Sequence, residues 1–243
     1  VLICIKSIEP FLNRDNHIVS AVSVPFKEYK GIDTLHDHTT DLLRELVEQK
    51  KLKYLVDNPQ YVTEAEARNF ALFYLKKYNV DYIWLVDSDE FYTDQHINKI
   101  EEYVESSNKN LFKLSLKNHV FDLDHYLEEP FCPPRIFKTK IKDNLSLEGF
   151  YWDNDICYRE GEDNGSMISY EAIEELEIIP KQVAYIPHYT WLNDRIGKRK
   201  VEYQHRHFGH CGYKWNNDKH CLEFDESFHE KHNLEIPRVI KDV

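Results

Sequence analysis

The sequence predicts an α/β fold in which a mixed, mainly parallel sheet is flanked by helices. Through the first half of the chain, short runs of apolar and β-branched residues alternate with amphipathic helical patterns. The chain has 243 residues and 42% hydrophobic content, which is enough to fill the core of one large domain. No internal repeat or low-complexity linker divides it. We therefore expect a single domain, 1–243.

In the first half, strands and helices follow one another in order. Strands are predicted at the apolar runs 2–7, 17–24, 53–56 and 82–86. A helix is predicted over 39–51, and a second one begins with a capping box formed by Thr63 and Glu66 and continues to Tyr78. This order favours parallel strands, and in such sheets ligands bind at the carboxyl ends of the strands.

The second half has a different pattern. Ile97, Ile100 and Val104 predict a helix, and residues 112–117 alternate apolar and polar, which is typical of a half-exposed, antiparallel strand. A short strand at 182–186 and a basic helix from Asn193 or Asp194 are also predicted. Loops rich in proline and polar residues separate these elements.

Composition excludes several classes of function. The net charge of −12 disfavours a surface that coats nucleic acid, because phosphate binding relies on clustered Lys and Arg. No stretch approaches the roughly 18 to 20 consecutive apolar residues needed to span a bilayer. Five scattered cysteines do not resemble a disulfide framework, and no leader pattern is evident. We therefore expect a cytoplasmic, reduced protein.

An acidic cluster follows the strand predicted at 82–86. Asp87 and Asp89 are two residues apart, so in extended backbone both would point the same way and could meet one cation. Carboxylate oxygens suit Mg²⁺ or Mn²⁺, which usually bridge one or two protein carboxylates to substrate phosphates. The alternative is a polar turn in which Asp87, Asp89 and Glu90 have no ligand.

Three stretches carry a resemblance to a known family. The longest is 64–91, which contains the second helix, the strand and the Asp-x-Asp element; the others are 4–12 and 24–46. Together they resemble the nucleotide-diphospho-sugar glycosyltransferases of the GT-A fold, which is Rossmann-like, and in particular the family 2-like bacterial and viral enzymes. One departure lies after the first strand, where the expected acid is shifted by one position to Glu9.

The resemblance implies a nucleoside diphosphate-sugar donor, with UDP-sugar favoured, whose diphosphate binds Mn²⁺ or Mg²⁺. Asp89 would be the main metal ligand, and Asp87 would reach the ribose or the metal. Arg68 would lie near the diphosphate, and Asp33 or Asp37 would contact the nucleotide base. Residues 1–92 would form the nucleotide-sugar-binding half, 93–192 the acceptor side, and 193–243 a basic helix with an aromatic and histidine-rich tail.

Two further roles follow from this reading. Many proteins of this fold supply a late histidine to the metal just beyond a strand, and His188 after Pro187 stands in that place. Inverting sugar transfer also needs a general base for the acceptor hydroxyl. We expect Asp153 first and Asp155 second in this role, with Glu148 also nearby among aromatic residues. Each of these residues could instead be structural.

The C-terminal segment offers a basic patch and a histidine-rich tail. Lys198 on the basic helix could help to hold the donor diphosphate, and His210 is a further position to test. The histidines and cysteines over 205–221 also suggest a zinc site, but their spacing is wrong for structural zinc. We favour a tail whose residues Tyr213, Trp215 and Phe224 pack over the acceptor side.

The sequence as a whole predicts a metal-dependent, hexosyltransferase-like glycosyltransferase with an unknown hydroxyl acceptor such as a carbohydrate. One alternative is a sugar-nucleotide nucleotidyltransferase, but such enzymes normally carry a glycine-rich phosphate loop after the first strand, and no glycine precedes Gly31. The other is a non-catalytic carbohydrate-binding protein that uses the many tyrosines and tryptophans.

Overall fold

The structure is a computed structural model that describes residues 2–23, 38–57, 71, 74–75, 77–120, 122–128, 132–138, 176–189, 194–208, 212–219, 221–233 and 235–241. Its helices are α1 (Leu2–Leu12), α2 (Thr39–Glu48), α3 (Asp94–Ser106), α4 (Asp194–Phe208) and α5 (Glu226–Lys231). Its strands are β1 (Ser20–Val22), β2 (Tyr54–Val56), β3 (Tyr82–Trp84), β4 (Leu111–Lys113), β5 (Ser115–Asn118), β6 (His125–Leu127), β7 (Pro134–Lys138), β8 (Leu176–Ile178), β9 (Tyr185–His188), β10 (Tyr213–Asn216), β11 (Cys221–Phe224) and β12 (Val239–Lys241).

The strands form parallel, antiparallel and mixed pairings, which confirms the mixed α/β class. The largest sheet in the described part has the order β3, β7, β4, β8, with β7 antiparallel to β3 and β4, and β4 parallel to β8. Parallel ladders also join β1 to β2 and β5 to β9. The pairs β6 with β12 and β10 with β11 are antiparallel. Of the described helices, none is long and apolar enough to cross a membrane.

The main core forms where α3 packs against the strands. Thr93 caps this helix, since its hydroxyl accepts a hydrogen bond from the His96 N–H and the His96 ring accepts one from the Thr93 N–H. The apolar face of α3 is fully enclosed, as the sequence predicted, and packs with Phe112, Leu114, Leu116, Ile136 and Ile186. Burying each such side chain contributes about 1.5–3 kcal/mol, so this cluster anchors β4, β5, β7 and β9.

The strand predicted at 2–7 is wrong, because these residues belong to helix α1. A short apolar run reads the same in a buried strand and in a buried helix, so periodicity alone did not separate them. The helix continues through Pro10 to Phe11, whose buried ring meets Trp84 edge-on with centroids 5.0 Å apart. Of the strand predicted at 17–24, whose last residue lies outside the described part of the chain, residues 20–22 form β1.

The prediction of a half-exposed antiparallel strand at 112–117 is only partly confirmed. The segment divides into β4, which is antiparallel to β7 and parallel to β8, and β5, which runs parallel to β9. Ser115 is one of the polar residues in the alternating pattern, yet it is only 2% exposed. Its hydroxyl lies 3.4 Å from the Ile179 carbonyl oxygen, which offsets the cost of burying it. A serine that bonds to backbone can enter a core, so the alternation was misleading.

One predicted strand begins later than expected, and one predicted helix lies partly outside the described residues. The strand predicted at 182–186 lies at β9, after a turn in which the Pro180 carbonyl accepts from the Val183 and Ala184 N–H groups. Of the helix predicted from Thr63, residues 71, 74 and 75 are helical, whereas its capping box lies outside the described residues.

Candidate active site

The acidic loop that follows β3 is bound to the end of β9. The Phe91 N–H donates to the Pro187 carbonyl at 2.8 Å, and the Tyr189 N–H donates to the Asp89 carbonyl at 2.9 Å. Between these bonds, Glu90 and His188 form an antiparallel bridge. Because the two segments share backbone hydrogen bonds on both sides of the bridge, the loop and His188 form one backbone unit.

Asp89 and His188, which the sequence proposed as metal ligands, lie side by side in this unit. Asp89 Oδ2 is 3.3 Å from His188 Nε2, and the two side chains are 30% and 5% exposed. The other ring nitrogen, Nδ1, faces the Asn118 side-chain oxygen within hydrogen-bond distance. A neutral ring that donates from Nδ1 turns a lone pair towards the Asp89 carboxylate. Two such acceptors face each other stably only with a proton or a metal cation between them.

The separation of these two atoms fits a shared divalent cation. Neighbouring ligand atoms of an octahedral ion, each at 2.0–2.1 Å, are about 3 Å apart, close to the observed 3.3 Å. Within the described residues, no group of three or more His, Cys, Asp or Glu side chains could hold a metal ion. Asp89 and His188 would therefore need water or substrate oxygens to complete the coordination, as is usual for Mg²⁺.

Asp87 has a different environment. Its Oδ2 accepts a hydrogen bond from Arg135 Nη2 at 2.6 Å, and its side chain is 35% exposed. β3 ends at Trp84, and the Glu90 N–H donates to the Asp87 carbonyl at 3.1 Å, so the backbone turns here. The expectation that Asp87 and Asp89 project together from extended backbone therefore does not hold. The role of Asp87 towards a ribose or a metal stays a prediction.

Arg135 also binds Glu90, which is fully buried. Its Nε donates to Glu90 Oε1 at 2.8 Å and its Nη2 donates to the same oxygen, while the Tyr92 hydroxyl donates to Glu90 Oε2 at 2.8 Å. Glu90 is thus neither a metal ligand nor part of a solvated turn. Its Oε1 holds the acidic loop against β7 through Arg135, whereas its Oε2 bonds Tyr92 within the same segment.

Burial and charge set the ionisation of this cluster. Burial raises the pKa of Glu90, the charge of Arg135 lowers it only in part, and the Asp87 charge raises it further. Burial, followed by the charge of Glu90, raises the pKa of Tyr92 well above its usual value, so the phenol stays a donor. Burial alone would lower the pKa of Arg135, but the Glu90 and Asp87 charges outweigh it and the net change is upward.

Sequence reasoning missed Arg135 and Asn118, although both left a signal. Arg135 directly precedes two buried apolar residues, Ile136 and Phe137, in β7. A charged residue within such a run seldom becomes buried unless it is paired. Asn118 is a polar residue at the carboxyl end of β5, and ligands bind at the carboxyl ends of strands in α/β sheets.

The remaining candidates lie on α4 or outside the described residues. Lys198 is exposed on α4, as expected for a charged helix face. This helix packs through Val201 with Val120, Leu127 and Leu222. The other predicted residues lie outside the described part of the chain: Asp33, Asp37, Arg68, Glu148, Asp153, Asp155 and His210.

The histidine-rich tail is partly described and packs as a hairpin. Tyr213, Trp215 and Phe224, on β10 and β11, cover the cluster formed by Val201 and Leu222. The ring of His205, on α4, lies 3.3 Å from the Tyr213 carbonyl oxygen through Nε2. These contacts agree with the packed tail favoured from the sequence.

Similar solved structures include two of the same protein. A crystal structure of S. aureus TarS 1–349 matches with a TM-score of 0.44 and 13% identity. The match covers 78% of this chain and 64% of the TarS chain. A crystal structure of the same protein in complex with UDP matches with a TM-score of 0.43 and 14% identity, covering 90% of this chain and 76% of that chain. No family model and no curated protein matches.

Proposed function

We propose that this chain is a metal-dependent glycosyltransferase that transfers a sugar from a nucleoside diphosphate-sugar, preferably a UDP-sugar, to a hydroxyl acceptor. The observation that carries the proposal is the 3.3 Å approach of Asp89 Oδ2 to His188 Nε2. The resemblance of residues 64–91 to the GT-A glycosyltransferases supports the same reading.

Asp89 and His188 would hold the ion. A carboxylate and a neutral imidazole together suit Mn²⁺, and the carboxylate also suits Mg²⁺. The bound cation would stabilise the charge that develops on the departing diphosphate. Asp87, whose carboxylate Arg135 holds at 2.6 Å, would hydrogen-bond the donor ribose or approach the ion. Asp153, or failing that Asp155, would take the acceptor proton.

Electrostatics favour a metal over direct donor binding. The protein carries a net charge of −12, and the loop itself presents Asp87 and Asp89. A diphosphate brought to this loop would meet like charges, and close carboxylates and phosphates repel one another strongly where water is partly excluded. A divalent cation between them reverses this interaction, so donor binding should depend on the metal.

Calorimetric titration of UDP, with and without Mn²⁺, into the wild type, Asp89→Ala and Asp218→Ala tests the proposal. Asp218 lies exposed in the turn between β10 and β11 and serves as the matched control. We expect metal-dependent UDP binding in the wild type and in Asp218→Ala, and none in Asp89→Ala. Undiminished binding in Asp89→Ala would rule out the assigned site.

A screen of sugar nucleotides for slow hydrolysis with Mn²⁺ identifies the donor without knowledge of the acceptor. Transfer to water should appear for one donor class, and Asp89→Ala should abolish it. Sugar binding that needs neither metal nor nucleotide would instead favour a carbohydrate-binding protein.

A further inference from the structure

We propose that Asn118 is a positioning residue that keeps His188 in the tautomer protonated on Nδ1, so that Nε2 presents its lone pair towards Asp89. The inference rests on the proposed function, since it concerns how the histidine is prepared for a metal ion. It begins with the contact between the Asn118 side-chain oxygen and His188 Nδ1.

The backbone brings these two side chains to the same place. Asn118 and His188 are partners at the carboxyl ends of the parallel strands β5 and β9. Beyond them, the His119 N–H donates to the His188 carbonyl at 3.0 Å, and Glu90 bridges His188 from the other side. The backbone of His188 is therefore held on both flanks, and the ring orientation depends on what its nitrogens contact.

Hydrogen-bond chemistry then selects the tautomer. A neutral imidazole has one donor and one acceptor nitrogen, whereas an amide oxygen can only accept. The oxygen of Asn118 facing Nδ1 therefore requires the proton on Nδ1, which leaves the lone pair on Nε2, 3.3 Å from Asp89 Oδ2. A partner that orients a metal-binding histidine in this way typically changes metal affinity by about 10- to 100-fold.

The ¹⁵N signals of the His188 ring in metal-free protein test the tautomer directly. Spectra at about pH 8, where an ordinary imidazole is neutral, distinguish the two tautomers, and His188→Ala assigns the signals. The wild type and Asn118→Asp, which keeps an oxygen acceptor, should show Nδ1–H. Asn118→Leu, of similar size but without an acceptor, should lose this preference. An Nε2–H ring in the wild type, or an unchanged ring in Asn118→Leu, would overturn the inference.

A double-mutant cycle measured by Mn²⁺ titration tests the consequence for metal binding. Asn118→Leu should weaken Mn²⁺ affinity about 10- to 100-fold. Asn118→Asp should retain the affinity, and in the His188→Ala background Asn118→Leu should have no further effect. An equal loss in both backgrounds would mean that Asn118 does not act through His188.

The two tests separate this inference from the proposed function. If His188→Ala leaves Mn²⁺ affinity unchanged, the assigned metal site fails, while the ring spectra still decide whether Asn118 selects the tautomer. If His188→Ala weakens binding and Asn118→Leu does not, the metal site stands and the inference fails. Thermal unfolding of each variant shows that the changes do not arise from a loss of folded protein.

Discussion

The acidic loop after β3 has an inner and an outer side, whose carboxylates differ in burial and in binding partners. On the inner side, Glu90 is fully buried and bound by Arg135 and Tyr92, and Arg135 also holds Asp87. On the outer side, Asp89 is 30% exposed and faces the ring of His188. The inner carboxylates share the cationic side chain of Arg135, whereas Asp89 on the outer side lies 3.3 Å from the His188 ring.

This difference shows that adjacent carboxylates in one short motif can have unlike functions. A buried ion pair contributes little net stability, because desolvation offsets its attraction, but it fixes geometry and is costly to break. The inner side therefore holds the loop to β7. The outer side, bound by backbone to β9 and by Asn118 to β5, can present Asp89 and His188 in a fixed arrangement.

The largest effect should come from breaking the inner side. Arg135→Met leaves the buried Glu90 charge without its cation and should lower the free energy of unfolding by about 3–5 kcal/mol. The double variant Glu90→Gln with Arg135→Met removes both charges and should recover most of this loss. Urea unfolding of the wild type and both variants measures the difference.

Arg44→Met is the control for this prediction. Arg44 pairs with Asp57 at 2.8 Å on the surface, where its side chain is 55% exposed. Removing an exposed ion pair should leave stability almost unchanged. Similar stabilities of Arg135→Met and Arg44→Met would mean that the buried cluster does not hold the loop.

The outer side was largely predictable from the sequence, whereas the inner side was not. A buried strand followed by carboxylates and a histidine at the end of a later strand are local patterns. His188 lies at the carboxyl end of β9, which is parallel to β5, whereas β3 is antiparallel to β7. Arg135 is 45 residues from Glu90, and Asn118 is 70 residues from His188. Such partners are set by strand pairing, which no local pattern specifies.

The fold shows the same division between local and long-range information. Helix α3 followed from its own apolar stripe, and its buried face matches the prediction. The segment at 2–7 carried only a short apolar run, and the face presented by Ser115 depended on the partners of β5. Where burial comes from distant elements, sequence periodicity alone is a poor guide.

Comparing the two aspartates sharpens the contrast. Because Arg135 already partners Asp87, removing the charge of Asp89 should weaken Mn²⁺ affinity more than removing that of Asp87. We expect Asp89→Asn to bind Mn²⁺ at least about tenfold more weakly than Asp87→Asn, a difference of about 1.4 kcal/mol. Titration of Mn²⁺ into both variants and Asp218→Asn measures this. Equal losses of Mn²⁺ affinity in the two variants would mean that both carboxylates contribute equally to binding the ion.

The pH dependence of stability reports on the inner side alone. Burial raises the pKa of Glu90 above its usual value of 4.5, so the folded state binds this proton more tightly than the unfolded state. The contribution is complete below pH 4.5 and is lost as the pH rises through the folded value. Relative to the double variant Glu90→Gln with Arg135→Met, the wild type should therefore lose stability as the pH rises above 4.5.

Urea unfolding of these two proteins at several pH values gives the difference curve, in which the other titrating groups largely cancel. A difference that grows in favour of the wild type with rising pH would show that Arg135 lowers the pKa of Glu90 more than burial raises it.

The smallest effect should come from the helix that follows the loop. Thr93→Ala removes the hydroxyl that accepts the His96 N–H and should cost about 1 kcal/mol, whereas Thr93→Ser keeps an acceptor and should cost less. Neither should change Mn²⁺ affinity, because the loop is held by Arg135 and by the backbone of β9, and not by the helix cap. If Thr93→Ala weakens Mn²⁺ binding in proportion to its loss of stability, metal geometry depends on α3 as well, and the two sides of the loop are less independent than their contacts indicate.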